Sequence, residues 1–111
     1  KTTMANSKAP KIAFIDAEFT GEHAYTTLVS LGIVTLDGRE LYLTLNDYDQ
    51  QQVTEWLSEN VLNRIDFDQS VDSKEAYERL HQFLVEYSNN EPVVLGFLWF
   101  VTRLHFVFGI V

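Results

Sequence analysis

The residues best suited to chemistry are Asp16 and Glu18, two carboxylates one residue apart in the stretch KIAFIDAEFTGEH. Four apolar residues, Ile12, Ala13, Phe14 and Ile15, lead directly into them. In a strand, residues i and i+2 face the same side, so both acids would project together from one strand end. Two acids held close repel each other, and lost hydration adds to the cost. A divalent cation relieves both effects. Mg²⁺ and Mn²⁺ prefer oxygen ligands, which carboxylates supply. Two such ions about 4 Å apart can activate a water and steady the leaving oxygen in phosphodiester hydrolysis. Gly21 and the small Thr20, just downstream, let the backbone approach a nucleotide closely. The bland alternative is that the two acids merely begin a solvated loop, since the D-x-E spacing recurs by chance in acidic proteins.

The elements that must position this pair follow from periodicity. Residues 11–17 read as a short, continuous apolar strand, central in a sheet. TLVSLGIVTL, residues 27–36, is β-branched and aliphatic, and Asp37-Gly38 follows it as a turn signal. RELYLTL, residues 39–45, alternates as a half-buried strand does. The three segments predict an antiparallel meander, with two or three residues in the Asp37-Gly38 turn. DQQQVTEWLSENVLNRI then changes to helical spacing. Val53, Trp56, Leu57, Asn60 and Val61 fall at i, i+3, i+4, i+7 and i+8, with Asp49 as the expected N-cap. DFDQSVDS is a polar loop. Asp72-Ser73-Lys74-Glu75 has capping-box spacing ahead of a second helix, whose face carries Tyr77, Leu80, Phe83, Leu84 and Tyr87. SNNEP ends that helix.

From Pro92 onward the composition changes. PVVLGFLWFVTRLHFVFGIV contains no acid and a single arginine. It reads as a buried strand over 93–95 followed by a buried helix. A transmembrane helix is the rival, interrupted by Thr102, Arg103 and His105 and weakened by Gly96 and Gly109.

At 111 residues, 46% hydrophobic and 22% charged, the chain suits one small packed domain over 11–111 behind a disordered segment at 1–10. It has no cysteine, which excludes a disulfide scaffold and a thiolate metal site and fits a cytoplasmic location. The N-terminal KTTMANSKAPK carries no apolar run of signal-peptide length, and Met4 is the expected start. The formal charge of −8 opposes simple phosphate-mediated binding of nucleic acid. It does not oppose a metal-dependent nuclease, whose acids are the metal ligands.

Taken in order, FIDAEFTG, LVSLGIV, DGRELYL and WLSENVL resemble the start of a DEDD-type 3′–5′ exonuclease. The likeness is to the compact exoribonuclease-like branch related to ribonuclease T and oligoribonuclease, and it spans residues 12–62. It implies a ribonuclease H-like α/β fold: a mixed sheet that opens on a three-stranded antiparallel meander and is flanked by helices. It also implies that Asp16 and Glu18 hold two Mg²⁺ or Mn²⁺ ions. Phe19 and Thr20 would lie beside the 3′-terminal nucleotide of single-stranded RNA or DNA, close to Gly21. His23, soon after the acids, could touch a phosphate but reads more readily as a solvated loop histidine. Such enzymes release nucleoside monophosphates from the 3′ end.

The last third departs from the family pattern. Val101 stands where a third acid is expected, and no Asp or Glu follows Glu91. The final motif, a general-base His with a fourth acid shortly after it, has no counterpart, and His105 has no acid downstream. The expectation is therefore a C-terminally incomplete or degenerate domain with weak metal binding and slow or absent cleavage. The alternative is a non-catalytic interaction module whose apolar C-terminal segment meets a partner or forms a homodimer. His81 is expected on the surface. Trp56 and Trp99 read more readily as core than as base-stacking groups, and DFDQSVD lacks the loop glycine and closing Glu of an EF-hand.

Overall fold

The computed structural model describes residues 10–100 and 104–110, with 98–100 and 104–110 described by backbone alone. The expected disordered segment and the Val101 position fall outside them, Pro10 excepted. The elements are β1 (Lys11–Phe19), β2 (Leu28–Thr35), β3 (Glu40–Thr44), α1 (Glu55–Asn60), α2 (Ser73–Ser88), β4 (Val93–Phe100) and β5 (Leu104–Ile110). They form an α/β structure on a five-stranded mixed sheet of order β3-β2-β1-β4-β5.

β1 is the central strand. It pairs antiparallel with β2 and parallel with β4, and β2 pairs antiparallel with β3. The meander is thus the one the alternation predicts. Its hairpin closes between Thr35 and Arg39, whose backbones bond at 2.9 Å, around Leu36, Asp37 and Gly38. Gly38 adopts φ +93°, a conformation that glycine reaches without steric cost, and this fixes the turn and hence the register.

Alternation along β1 sets its two faces. Ala13 and Ile15 point toward α2 and are buried with Leu31, Ile33, Val93, Leu95 and Tyr87. Leu80, Phe83 and Leu84 of α2 pack onto this cluster, and Ala76 packs with Leu43 and Leu45 nearer β3. α2 is capped as the spacing predicts: the Asp72 carboxylate accepts from the Glu75 N–H at 2.8 Å. It ends in two asparagines with positive φ, 47° at Asn89 and 65° at Asn90, which stop the helix before Pro92. Tyr77, expected on the core face, is exposed at 68%; Ala76 takes the inward place, because the burial stripe runs one residue earlier in the first turn.

Two further expectations are corrected. The helix read from Val53 to Val61 is broken into pieces. Asp49 caps a short 3-10 turn (Gln50–Gln52), and α1 starts only at Glu55, where the Thr54 hydroxyl accepts from Leu57 N–H at 3.1 Å. A second 3-10 turn (Leu62–Arg64) follows. The segment beyond Pro92 is not a strand and a helix but two antiparallel strands, β4 and β5. Its β-branched and aromatic residues satisfy their backbone by pairing with β1 and with each other. No helix among the described residues is long and apolar enough to cross a membrane.

Candidate metal and phosphate site

Asp16 and Glu18 lie on the β1 face turned away from α2, at its carboxyl end. Asp16 stands opposite Gly32 and Glu18 opposite Ser30 on β2. Gly32 in turn stands opposite Tyr42 on β3. With no side chain at Gly32, the floor between Asp16 and Tyr42 is open, and a Cβ placed there would touch the Tyr42 ring at 3.5 Å. The roof comes from the end of α1 and the turn after it. Asn60, Val61, Arg64 and Ile65 close over the two acids to leave a hollow of about 300 Å³.

The electrostatics of the pair follow from this placement. Partial burial pushes the Asp16 carboxyl above the ordinary carboxylate range. Burial does the same to Glu18, and the neighbouring Asp16 charge adds to it. Among the described residues, neither carboxylate accepts a hydrogen bond or forms an ion pair; the described ion pairs are Lys11–Glu91 and Arg39–Asp37. Two like charges therefore share one hollow, and among the described residues neither is ion-paired. Carboxylate oxygens so placed suit a divalent cation whose remaining ligands are water and phosphate oxygens. A full protein cage is absent: no group of three or more His, Cys, Asp or Glu among the described residues can hold a metal ion.

The residues expected to meet substrate divide into two sets. Phe19 follows an irregularity in the β1–β2 register, between Glu18 and Phe19, and is 46% exposed. Its ring is open to solvent but is not part of the lining of the hollow. Thr20 is turned inward and only 4% exposed. Its hydroxyl bonds the Thr27 hydroxyl (2.9 Å), accepts from Thr27 N–H (3.0 Å) and donates to Gln52 Oε1. That side chain is committed to fixing the loop rather than offered to a ligand. Gly21 donates its N–H to the Thr26 hydroxyl at 2.9 Å, and a Cβ there would strike the His23 ring at 2.9 Å. Its bareness thus seats His23, whose Nδ1 accepts from Tyr25 N–H at 3.2 Å. His23 is exposed at the loop tip, held by a local turn.

Sequence reasoning did not single out Tyr42, Asn60 as a polar lining group, or Arg64. Each comes to the acids by pairing or chain reversal, which no local spacing reveals. Trp56 is 66% exposed rather than core, on the same helix as Asn60, whose side-chain amide donates to Trp56 O at 2.9 Å. No protein-family model matches the sequence, and a search of curated proteins returned no match.

Proposed function

We propose that this chain carries the metal-binding half of a 3′–5′ exonuclease site, acting on the 3′ end of single-stranded RNA in preference to DNA, on a ribonuclease H-like sheet. One observation carries the reading: two carboxylates share a hollow at the end of the central strand, and neither is ion-paired among the described residues. The meander β1–β3 followed by a parallel β4 supports the fold assignment.

Asp16 and Glu18 would hold Mg²⁺ or Mn²⁺, which supplies charge neutralisation and an activated water. The chain's own residues do the rest. The acids fix the ion at the strand end, and Phe19 presents a ring for the terminal base. In the reaction, a water oxygen bonds phosphorus as the bond from phosphorus to the 3′ oxygen of the penultimate nucleotide breaks. A nucleoside 5′-monophosphate leaves, and the shortened chain ends in a 3′ hydroxyl. With two acids in place of four and no counterpart in the sequence of the family's His motif, this chain binds metal weakly and turns over slowly.

The test is a single-turnover assay with Mn²⁺ and a 5′-labelled oligoribonucleotide. The expected result is slow shortening from the 3′ end, together with Mn²⁺-dependent retention of the oligomer. Both are lost in Asp16→Ala and Glu18→Ala. Retention and shortening that neither substitution alters would sink the proposal.

A second reading, as a non-catalytic interaction module, draws on the apolar trough beside the acids. Phe14, Val34 and Tyr42 line a depression of about 320 Å³, with Val34 and Tyr42 exposed. Sedimentation velocity distinguishes the two. Self-association that Val34→Glu abolishes favours the module, and a monomer whose melting temperature rises with Mn²⁺ favours the nuclease.

A further inference from the structure

We infer that Arg64 is the phosphate-binding residue of the hollow, placed to grip the phosphate of a nucleoside monophosphate from the side opposite the metal. The inference rests on the metal reading of Asp16 and Glu18 and adds the group that recognises the anion. Arg64 ends the 3-10 turn Leu62–Arg64, which follows α1. Among the described residues that line the hollow it is the only cationic side chain, and it shares that lining with Asp16, Glu18, Tyr42 and Asn60. Yet its guanidinium forms no ion pair or hydrogen bond with any described residue; only its backbone N–H is engaged, donating to Val61 O at 3.1 Å.

A guanidinium that shares a cavity with two unneutralised carboxylates and pairs with neither leaves a gap between them. The order of charges across that gap is anion wall, open space, cation. A divalent ion on the acids followed by a phosphate against the guanidinium fills it with alternating signs, which is the favourable sequence. The guanidinium fork matches two phosphate oxygens, and the volume of about 300 Å³ suits a ligand of nucleotide size. Tyr42, leaning over Gly32, supplies a flat apolar wall for the attached nucleoside.

The experiment is calorimetric titration of the intact chain, first with Mn²⁺ alone and then with 5′-AMP or adenosine. Wild type, Arg64→Ala, Arg64→Lys and Asp16→Asn are compared, and a thermal melt confirms that each is folded. The expected result is that Arg64→Ala leaves Mn²⁺ affinity within about twofold but weakens 5′-AMP at least about tenfold, as loss of a bidentate charged contact does. Arg64→Lys falls between, and adenosine binding is unchanged throughout. If Asp16→Asn binds Mn²⁺ as wild type does, the metal reading fails. The Arg64 inference is then judged on metal-free protein, where a preference for 5′-AMP over adenosine that Arg64→Ala removes still upholds it. Equal 5′-AMP affinity in wild type and Arg64→Ala, or a wild type that does not prefer 5′-AMP to adenosine, overturns it.

Discussion

Asp16 and Glu18 hold their protons more tightly in the folded chain than in the unfolded one. A raised folded-state pKa means that the native state binds more protons, so this pair lowers stability as pH rises through the raised values. Replacing Asp16 with Asn should therefore raise the melting temperature at pH 7, and the gain should shrink as pH falls below the carboxylate range. Mn²⁺ should stabilise wild type and have little effect on Asp16→Asn, because the cation and the amide relieve the same repulsion. Thermal melts over a pH series with and without Mn²⁺ check both statements. Asp37 and Asp47 behave in the opposite way. The Thr35 hydroxyl lowers the Asp37 pKa, and the Ser73 N–H lowers that of Asp47. Their contribution is present above the ordinary carboxylate pKa and is lost as pH falls through the depressed values. Asp47→Asn should consequently reduce the steepness of acid unfolding.

At the scale of elements, three small devices fix the geometry around the site. The Tyr87 hydroxyl donates to Ile12 O at 3.0 Å and accepts from Ile12 N–H at 3.1 Å, bolting the end of α2 to the start of β1. Tyr87→Phe leaves both backbone groups without that partner and should cost about 1–3 kcal/mol in urea unfolding. Thr54→Ala removes the α1 cap and should cost about 1 kcal/mol, with a further loss of 5′-AMP affinity because Arg64 hangs from this segment. Thr20 joins the loop after β1 to Gln52. What the sequence shows at this scale depends on range. The β1–β2–β3 meander, the Asp37-Gly38 turn and the Asp72 cap are local patterns, so they are legible. The break at Val53-Thr54 is not, because i, i+3, i+4 spacing survives the interruption. The strand expected at 93–95 is the start of β4, but the rest of the run reads as helix because an unbroken apolar run has no period, so strand and helix look alike in it. The acid pair was legible from its strand spacing. Its partners Tyr42 and Arg64 were not, since they reach it across the sheet and through a chain reversal.

The whole molecule carries a formal charge of −8 and an isoelectric point near 4.6. A polyanion approaching it meets net repulsion, which the proposed metal-loaded hollow edged by Arg64 would offset locally. Affinity for an oligonucleotide should therefore depend weakly on salt. With divalent ion saturating, a plot of log Kobs against log salt should have a slope no steeper than about −1, because a single phosphate contact releases about 0.7 of a counterion from a single strand. A steeper slope would place several cationic contacts elsewhere on the surface. The two faces of the sheet also divide the labour. The α2 side holds the apolar core, and the opposite side holds the acids, the hollow and the trough. Stability and binding can therefore be altered by separate substitutions.

The parallel pairing of β1 with β4 sets a timetable for synthesis. Lys11 lies beside Val93, so one edge of the central strand waits for about eighty further residues to be made before its neighbour arrives. β2 and β3 can zip onto the other edge as soon as they emerge. Until β4 docks, the waiting edge offers unmet N–H and C=O groups flanked by Ala13 and Ile15, a template for stray strands from other nascent chains. Ribosome stalling before β4 has emerged from the exit tunnel is thus an interval of aggregation hazard, and the hazard should fall away only once β4 is clear of the tunnel and can dock.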